Sequence, residues 1–183
     1  MIFTEATLKG AFLLALERQQ DERGFFARAW CEREAAAHGL NPRVAQCNIS
    51  FNLHAGTIRG FHYQAPPHEE ARLVRCTTGA VHDVIVDLRP DSPTFLRHSE
   101  VVLRAADRTA VYVPESFAHG FQTLEDDTEV FYQMSAAYVP ESARGIRWND
   151  PALDIRWPLP IACISERDRS FPDFRPPSGR PLR

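Results

Sequence analysis

Val44-Ala45-Gln46-Cys47-Asn48-Ile49-Ser50, Thr57-Ile58-Arg59-Gly60-Phe61-His62-Tyr63, Leu73-Val74-Arg75-Cys76-Thr77 and Val81-His82-Asp83-Val84-Ile85-Val86-Asp87-Leu88 are short runs rich in β-branched and aromatic residues. The rhythm continues through Glu100–Leu103, Ala110–Val113, Phe121–Leu124 and Glu129–Met134. Turn-forming residues fall between the runs: Asn52, Gly56, Thr78-Gly79, Arg89-Pro90-Asp91-Ser92-Pro93, Ala106-Asp107 and Glu125-Asp126-Asp127. Eight such runs predict an all-β domain whose antiparallel strands close into a barrel or double into a jelly roll.

Outside this block, Glu32 to His38 reads as a short helix, with Ala35-Ala36-Ala37 inside it and Gly39 as its stop. Lys9, the only lysine among 21 cationic residues, falls in a segment that reads as an N-terminal strand, so Schiff-base chemistry on a buried lysine is not expected. Six of the 14 prolines follow Trp157, which predicts an irregular tail wrapped over the outside and frayed over residues 173–183. Within it, Ile164-Ser165-Glu166-Arg167-Asp168 is a mixed segment able to return to the body.

With 183 residues the chain supports one domain, 1–183, and its 44% hydrophobic and 25% charged content is that of a globular protein. A net charge of -3 argues against nucleic acid as partner, and no apolar run reaches the ~20 residues that span a bilayer. The N-terminus carries no signal-peptide pattern, so the expected location is cytoplasmic. Cys31, Cys47, Cys76 and Cys163 contain no C-x-x-C pair, and four buried thiols are expected.

Chemistry concentrates in two places. In a strand, residues two apart share a face, so Gln46 and Asn48 point together, as do Gly60, His62 and Gln64. Pro114-Glu115-Ser116-Phe117-Ala118-His119-Gly120-Phe121 reads as a tight turn entering a strand with a histidine at its start. It resembles the second half-motif of cupins, as Gly56 to Gly79 resembles the first. Metal-binding cupins supply three histidines and a glutamate; here Gln64 stands beside His62 where a histidine belongs, so no metal is expected. Alternation in Glu129–Met134 puts Val130, Tyr132 and Met134 on an interior face, where a tyrosine hydroxyl is either a core group with a partner or a general acid in a cavity.

Ordered motifs from Asp21 to Asp168 are similar to those of the dTDP-4-dehydrorhamnose 3,5-epimerase family: Asp21-Glu22-Arg23-Gly24-Phe25-Phe26, Gln46–Ser50, Arg59–Gln64, Arg72–Cys76, Asp83–Arg89, Ser92–Phe95, Pro114–Phe121, Trp148–Pro151 and Ser165–Asp168. The resemblance implies a cupin-like jelly roll without metal or organic cofactor. It also implies a homodimer whose N-terminal strands, within residues 1–30, reach the partner's site. It makes His62 the base next to a 4-keto group, Asp168 its orienting carboxylate, Tyr132 the acid on the opposite face and Arg72 the cation for the enolate oxygen. Arg23, Arg59, Gln46, Asn48, His119 and Arg167 become contacts to diphosphate, nucleoside or sugar, and Tyr138 stacks on the base with Phe26 from the other subunit.

Four positions depart from the family pattern: Arg72 replaces a lysine, Arg28 a glutamate near the nucleoside, Cys47 an aspartate and Ala143 a glutamate. Arginine keeps the charge of lysine but presents a planar fork of donors. The implied activity is epimerisation at C3 and C5 of a dTDP-4-keto-6-deoxyhexose. Competing readings are a monofunctional 3- or 5-epimerase on a dTDP-, CDP- or GDP-4-keto sugar, a metal-dependent cupin oxygenase using His62, His119 and Glu69 or Glu70, and a non-catalytic sugar-binding module.

Overall fold

The computed structural model describes residues 1–175. Its strands are β1 (Ile2–Glu5), β2 (Phe12–Ala15), β3 (Gln19–Asp21), β4 (Gly24–Phe26), β5 (Gln46–Asn52), β6 (Thr57–Gln64), β7 (Arg72–Thr78), β8 (Ala80–Asp87), β9 (His98–Arg104), β10 (Ala110–Val113), β11 (Phe117–Thr123), β12 (Thr128–Met134), β13 (Ala143–Gly145) and β14 (Cys163–Ile164). The helices are α1 (Glu32–Ala37) and α2 (Glu166–Arg169). One antiparallel sheet runs β1-β2-β10-β7-β12-β5, and a second runs β13-β6-β11-β8-β9 with β14 added in parallel to β6. The hairpin β3–β4 joins neither sheet.

The two sheets face each other as a jelly roll, because alternate side chains on each are apolar. Val74, Cys76, Val111, Val113 and Val130 of the first sheet meet Val81, Ile85, Leu103, Phe117 and Phe121 of the second. The outer faces are also covered. Ala35 of α1 and Leu40 pack on Leu14, Leu73, Ala110 and Tyr112, while Ile146 and Leu153, with Trp157 and Phe174, pack on Phe61, Val84, Val86 and Ala118. Strand β8 is covered on both sides, which is why it carries apolar residues on both of its faces, Val81 and Ile85 on one and Val84 and Val86 on the other.

Helix α1 carries Glu32 and Glu34 in its first turn, where negative charge suits the dipole, and ends at Gly39 with φ +72. Leu40 N then donates to Ala35 O at 3.0 Å and buries the leucine. The segment Ile164–Asp168 does return to the body, as β14 and α2.

Three expectations are corrected. Lys9 lies in the turn between β1 and β2, where Gly10 adopts φ +87, and not in a strand. Strand β11 begins at Phe117, ahead of the expected start at Phe121, because the turn is confined to the residues up to Ser116 (φ +61); His119 is therefore mid-strand. Only Cys76 is a buried thiol: Cys47 and Cys163 are exposed on edge strands β5 and β14, and Cys31 is intermediate. Residues 171–175 lie outside helix and strand, as expected of the tail, and the remainder of the expected frayed end, 176–183, lies outside the described residues. Among the described residues no helix is long and apolar enough to cross a membrane.

Candidate active site

Strand β6 carries the centre of the site, and an irregularity in its pairing decides what faces inward. His119 on β11 pairs with His62, but Phe121, two residues on, pairs with Arg59, three residues back, so β6 bulges at Gly60. Strict alternation would put Arg59 and His62 on opposite faces; the bulge turns both into one cavity. Gly60 has φ +123, and a Cβ there would stand 2.5 Å from Gly120 Cα, so only glycine lets the two strands approach this closely.

His62 is oriented from behind. Its Nε2 donates to Asp168 Oδ1 at 2.6 Å, leaving Nδ1 as the unprotonated acceptor. Asp168 is supplied by α2: the helix starts at Ser165, whose Oγ accepts from Asp168 N at 3.1 Å, and Gly60 N donates to Asp168 Oδ2 at 3.2 Å. Burial alone would raise the Asp168 pKa, but the bonds from His62, Gly60 and Ser165 outweigh it and hold the carboxyl below its ordinary value.

A second buried chain crosses the sandwich. Glu70 Oε1 accepts from Arg72 Nε at 3.0 Å and also from Nη2. Arg72 Nη1 lies 3.5 Å from His119 Nδ1, and His119 Nε2 donates to Asp83 Oδ2 at 2.8 Å. Asp83 thus gives His119 the same tautomer that Asp168 gives His62. Asp83 and Glu70 are residues of this buried chain that sequence reasoning did not assign to the site. Asp83 had a signal, an aspartate whose alternation with Val81 and Ile85 aims it into the core, where an acid needs a partner. Glu70 entered only as a candidate metal ligand.

Two contiguous cavities of ≈ 270 Å³ and ≈ 290 Å³ share His62, Arg72 and Tyr132. Gln46, Asn48, Tyr138 and Arg167 line the first; Arg59 and His119 line the second. Gln46 Oε1 accepts from Tyr138 N at 2.8 Å, and Arg59 Nε donates to Asn52 Oδ1 at 2.6 Å, so both side chains are held. Tyr132 makes its interior face with Val130 and Met134 as expected, and Ala143 stands at the rim of the first cavity without a carboxylate.

Other expected site residues are not brought together with these. Cys47 alternates with Gln46 and Asn48 and so points out of the sandwich, away from the cavities of its own chain. Arg23 pairs with Asp21 Oδ2 at 2.5 Å in the exposed β3–β4 hairpin, and Phe26 is 71% exposed. Arg28 pairs with Glu34 at 2.6 Å beside Phe26, at a separate cavity of ≈ 130 Å³. Gln64 is a structural residue: its Nε2 donates to His68 O at 2.8 Å and its Oε1 accepts from Val139 N at 2.6 Å. Among the described residues no three His, Cys, Asp or Glu side chains converge on a metal position, since each candidate is committed to a neighbour within the protein: His62 to Asp168, His119 to Asp83, Glu70 to Arg72.

Comparison with known proteins gives the family. Residues 5–176 match the family model described as dTDP-4-dehydrorhamnose 3,5-epimerase. A dTDP-4-dehydrorhamnose 3,5-epimerase of Sinorhizobium fredii is 36% identical over 175 residues, covering 95% of this chain and 90% of that protein. The crystal structure of the Bacillus anthracis enzyme of that name, with TDP and PPi bound, superposes with a TM-score of 0.89 at 38% identity, covering 94% of this chain and 99% of the other. A Legionella pneumophila epimerase in complex with dTDP-4-keto-L-rhamnose gives 0.84 at 32% identity, with 91% and 89% covered.

Proposed function

Because this chain belongs to the dTDP-4-dehydrorhamnose 3,5-epimerase family, we propose that it inverts C3 and C5 of a dTDP-4-keto-6-deoxyhexose, converting dTDP-4-dehydro-6-deoxy-D-glucose to dTDP-4-dehydro-L-rhamnose. The observation that carries this is the opposed placement of His62 and Tyr132, one on each sheet, around a shared cavity that also holds Arg72.

C3 and C5 both flank the C4 carbonyl, so removing a proton from either gives an enolate with its charge on the same oxygen. One fixed cation can serve both centres. His62 Nδ1 takes the proton, and Asp168 stabilises the imidazolium that forms. The Arg72 guanidinium donates to the oxygen as charge develops. Tyr132 returns a proton from the other layer and is reprotonated by solvent. Removal on one side and return on the other inverts the carbon.

Arg59 and Arg167 supply charge-assisted donors for the diphosphate, and Gln46, Asn48 and Tyr138 neutral contacts for nucleoside and sugar. Incubation in deuterium oxide is the test: deuterium should appear at both carbons with the wild type and at neither with His62→Ala. Label at C3 alone would identify a monofunctional enzyme, and binding with no label in the wild type would leave a sugar-binding module.

The working unit is a homodimer. Edge strand β5 exposes Ile49 (65%), Phe51 (50%) and Leu53 (62%) beside it, and on the same face Arg75 Nη2 and Gln133 Oε1 are buried without a hydrogen-bond partner. A second copy supplies both the apolar cover and the missing partners, and brings Arg23, Phe26 and Arg28 of its hairpin towards the site. Sedimentation should give a dimer for the wild type and a monomer for Ile49→Asp/Phe51→Asp; a monomeric wild type refutes it. Four unpaired cysteines suit the reducing cytoplasm, where we place the protein.

A further inference from the structure

Arginine has two edges on which it can fork, a side edge of Nε and one terminal nitrogen, and an end formed by both terminal nitrogens. In this chain the side edge is taken: Glu70 Oε1 accepts from both Nε and Nη2 of Arg72. His119 Nδ1, made an acceptor by the bond from Nε2 to Asp83, takes one Nη1 hydrogen. One hydrogen on each terminal nitrogen remains uncommitted.

Glu70 sits two residues before Arg72 at the mouth of β7, with its side chain 2% exposed. Its second oxygen, Oε2, is buried and has no hydrogen-bond partner among the described residues. A buried carboxylate oxygen left so carries an uncompensated desolvation cost. Symmetric pairing across both oxygens would avoid that cost, and its absence at a cavity wall marks a residue selected for where it holds its partner. Lysine in place of Arg72 would present a single rotatable ammonium and need no such clamp; a guanidinium does, because a turn about its last bonds redirects every donor.

We propose that Glu70 is a positioning residue that locks the side edge of Arg72, so that the end of the fork is presented to two neighbouring oxygens of the sugar, the C4 oxygen and the C3 hydroxyl oxygen. This rests on the epimerase reading above, and it adds a specificity: a 4-keto sugar lacking the C3 oxygen loses one of the two acceptors.

The test measures two things. In ¹⁵N-labelled protein the Arg72 Nε–H resonance, assigned by its loss in Arg72→Lys, should be slow to exchange with water, and Glu70→Ala should shift it and speed its exchange. An unchanged resonance in a folded Glu70→Ala variant overturns the proposal whatever the turnover. Kinetically, Glu70→Ala should lower kcat about 10²-fold while the Kd for dTDP stays within twofold, and Glu70→Gln, which keeps an acceptor at the same reach, should recover most of the loss. Arg72→Ala and the Glu70→Ala/Arg72→Ala double variant should be equally slow, because Glu70 acts through Arg72. Losses that multiply overturn it. If the wild type turns over no 4-keto sugar, the epimerase reading fails together with the role assigned here in presenting the fork to the sugar, while the resonance still decides whether Glu70 holds Arg72.

Discussion

His62 and His119 are register partners on β6 and β11, and each directs Nε2 onto a different buried carboxylate, Asp168 at 2.6 Å and Asp83 at 2.8 Å. The two imidazoles therefore share a tautomer and differ in what their Nδ1 atoms meet. For His62 it is the cavity; for His119 it is Arg72. One ring keeps a free acceptor at the cavity, as the proposed base requires, while the other contacts the cation.

Asp168→Asn should leave the fold intact and lower kcat by about 10²-fold or more, because an amide in place of the carboxylate neither selects the Nδ1-acceptor tautomer nor stabilises the imidazolium. Deuterium wash-in measured against the wild type checks this, and an undiminished rate would show that Asp168 is only a helix-start residue.

Tyr132→Phe separates the two proton transfers. His62 still removes the proton, exchanges it with solvent as the imidazolium, and returns a solvent-derived one to the same face. Recovered substrate should therefore acquire solvent deuterium while epimerised product falls by about 10²-fold or more. Product formation at the wild-type rate would remove Tyr132 from the mechanism.

Asp87 is an acid-stability group. It accepts from Arg89 Nε at 2.9 Å and Nη2 at 2.8 Å, and from Ser92 Oγ and Thr94 Oγ1 at 2.6 Å each. Burial opposes ionisation, yet these donors outweigh it and hold the carboxyl below its ordinary value. A depressed native value means the stabilisation is present in full above the unfolded pKa of about 3.9 and is lost as the pH falls through the folded value. Asp87→Asn should cost of order 1–3 kcal/mol at neutral pH, and the gap from the wild type in urea melts should narrow below about pH 4. A gap that widens on acidification would contradict the assignment.

The exposed thiol of Cys163 should react rapidly with a disulfide reagent in the native protein, whereas Cys47 shares the outward face of β5 with Ile49 and Phe51 and should react slowly in the dimer and rapidly in Ile49→Asp/Phe51→Asp. Cys76, buried and pushed up to about 11 by desolvation, should react only on unfolding. Cys163→Ser should remove most of the fast absorbance change of the dimer; a fast phase that is lost in Cys47→Ser would mean that the outward face of β5 is uncovered.

The sheets were legible in the sequence because burial on one or both faces imposes a period that short runs reveal, and Ala110–Val113 coincides with β10 residue for residue. What alternation could not supply is what breaks it. The bulge at Gly60, which brings Arg59 round to the side of His62, goes with the close approach of Gly60 to Gly120 across strands; the glycine within the run is its local signal, but the register shift it produces is not readable from β6 alone. His119 was misplaced to the edge of a turn for a related reason: Pro114-Glu115-Ser116 is a strong turn signal that masks the start of β11. The pairs His62–Asp168 and His119–Asp83 join residues 106 and 36 positions apart, so their closeness is a product of topology. Glu70–Arg72 is close in sequence, yet its meaning depends on which edge of the fork is engaged, and that is a matter of three-dimensional orientation.

The placement of His62 and Tyr132 on separate layers makes the thickness of the sandwich a kinetic quantity. A methylene added or removed among Val74, Ile85, Phe117 and Val130, none of which lines the cavity, alters the distance a proton must bridge on one side relative to the other. The interior that holds the molecule together is in this sense also the ruler that sets its chemistry, and changes in turnover can originate in residues that touch no ligand.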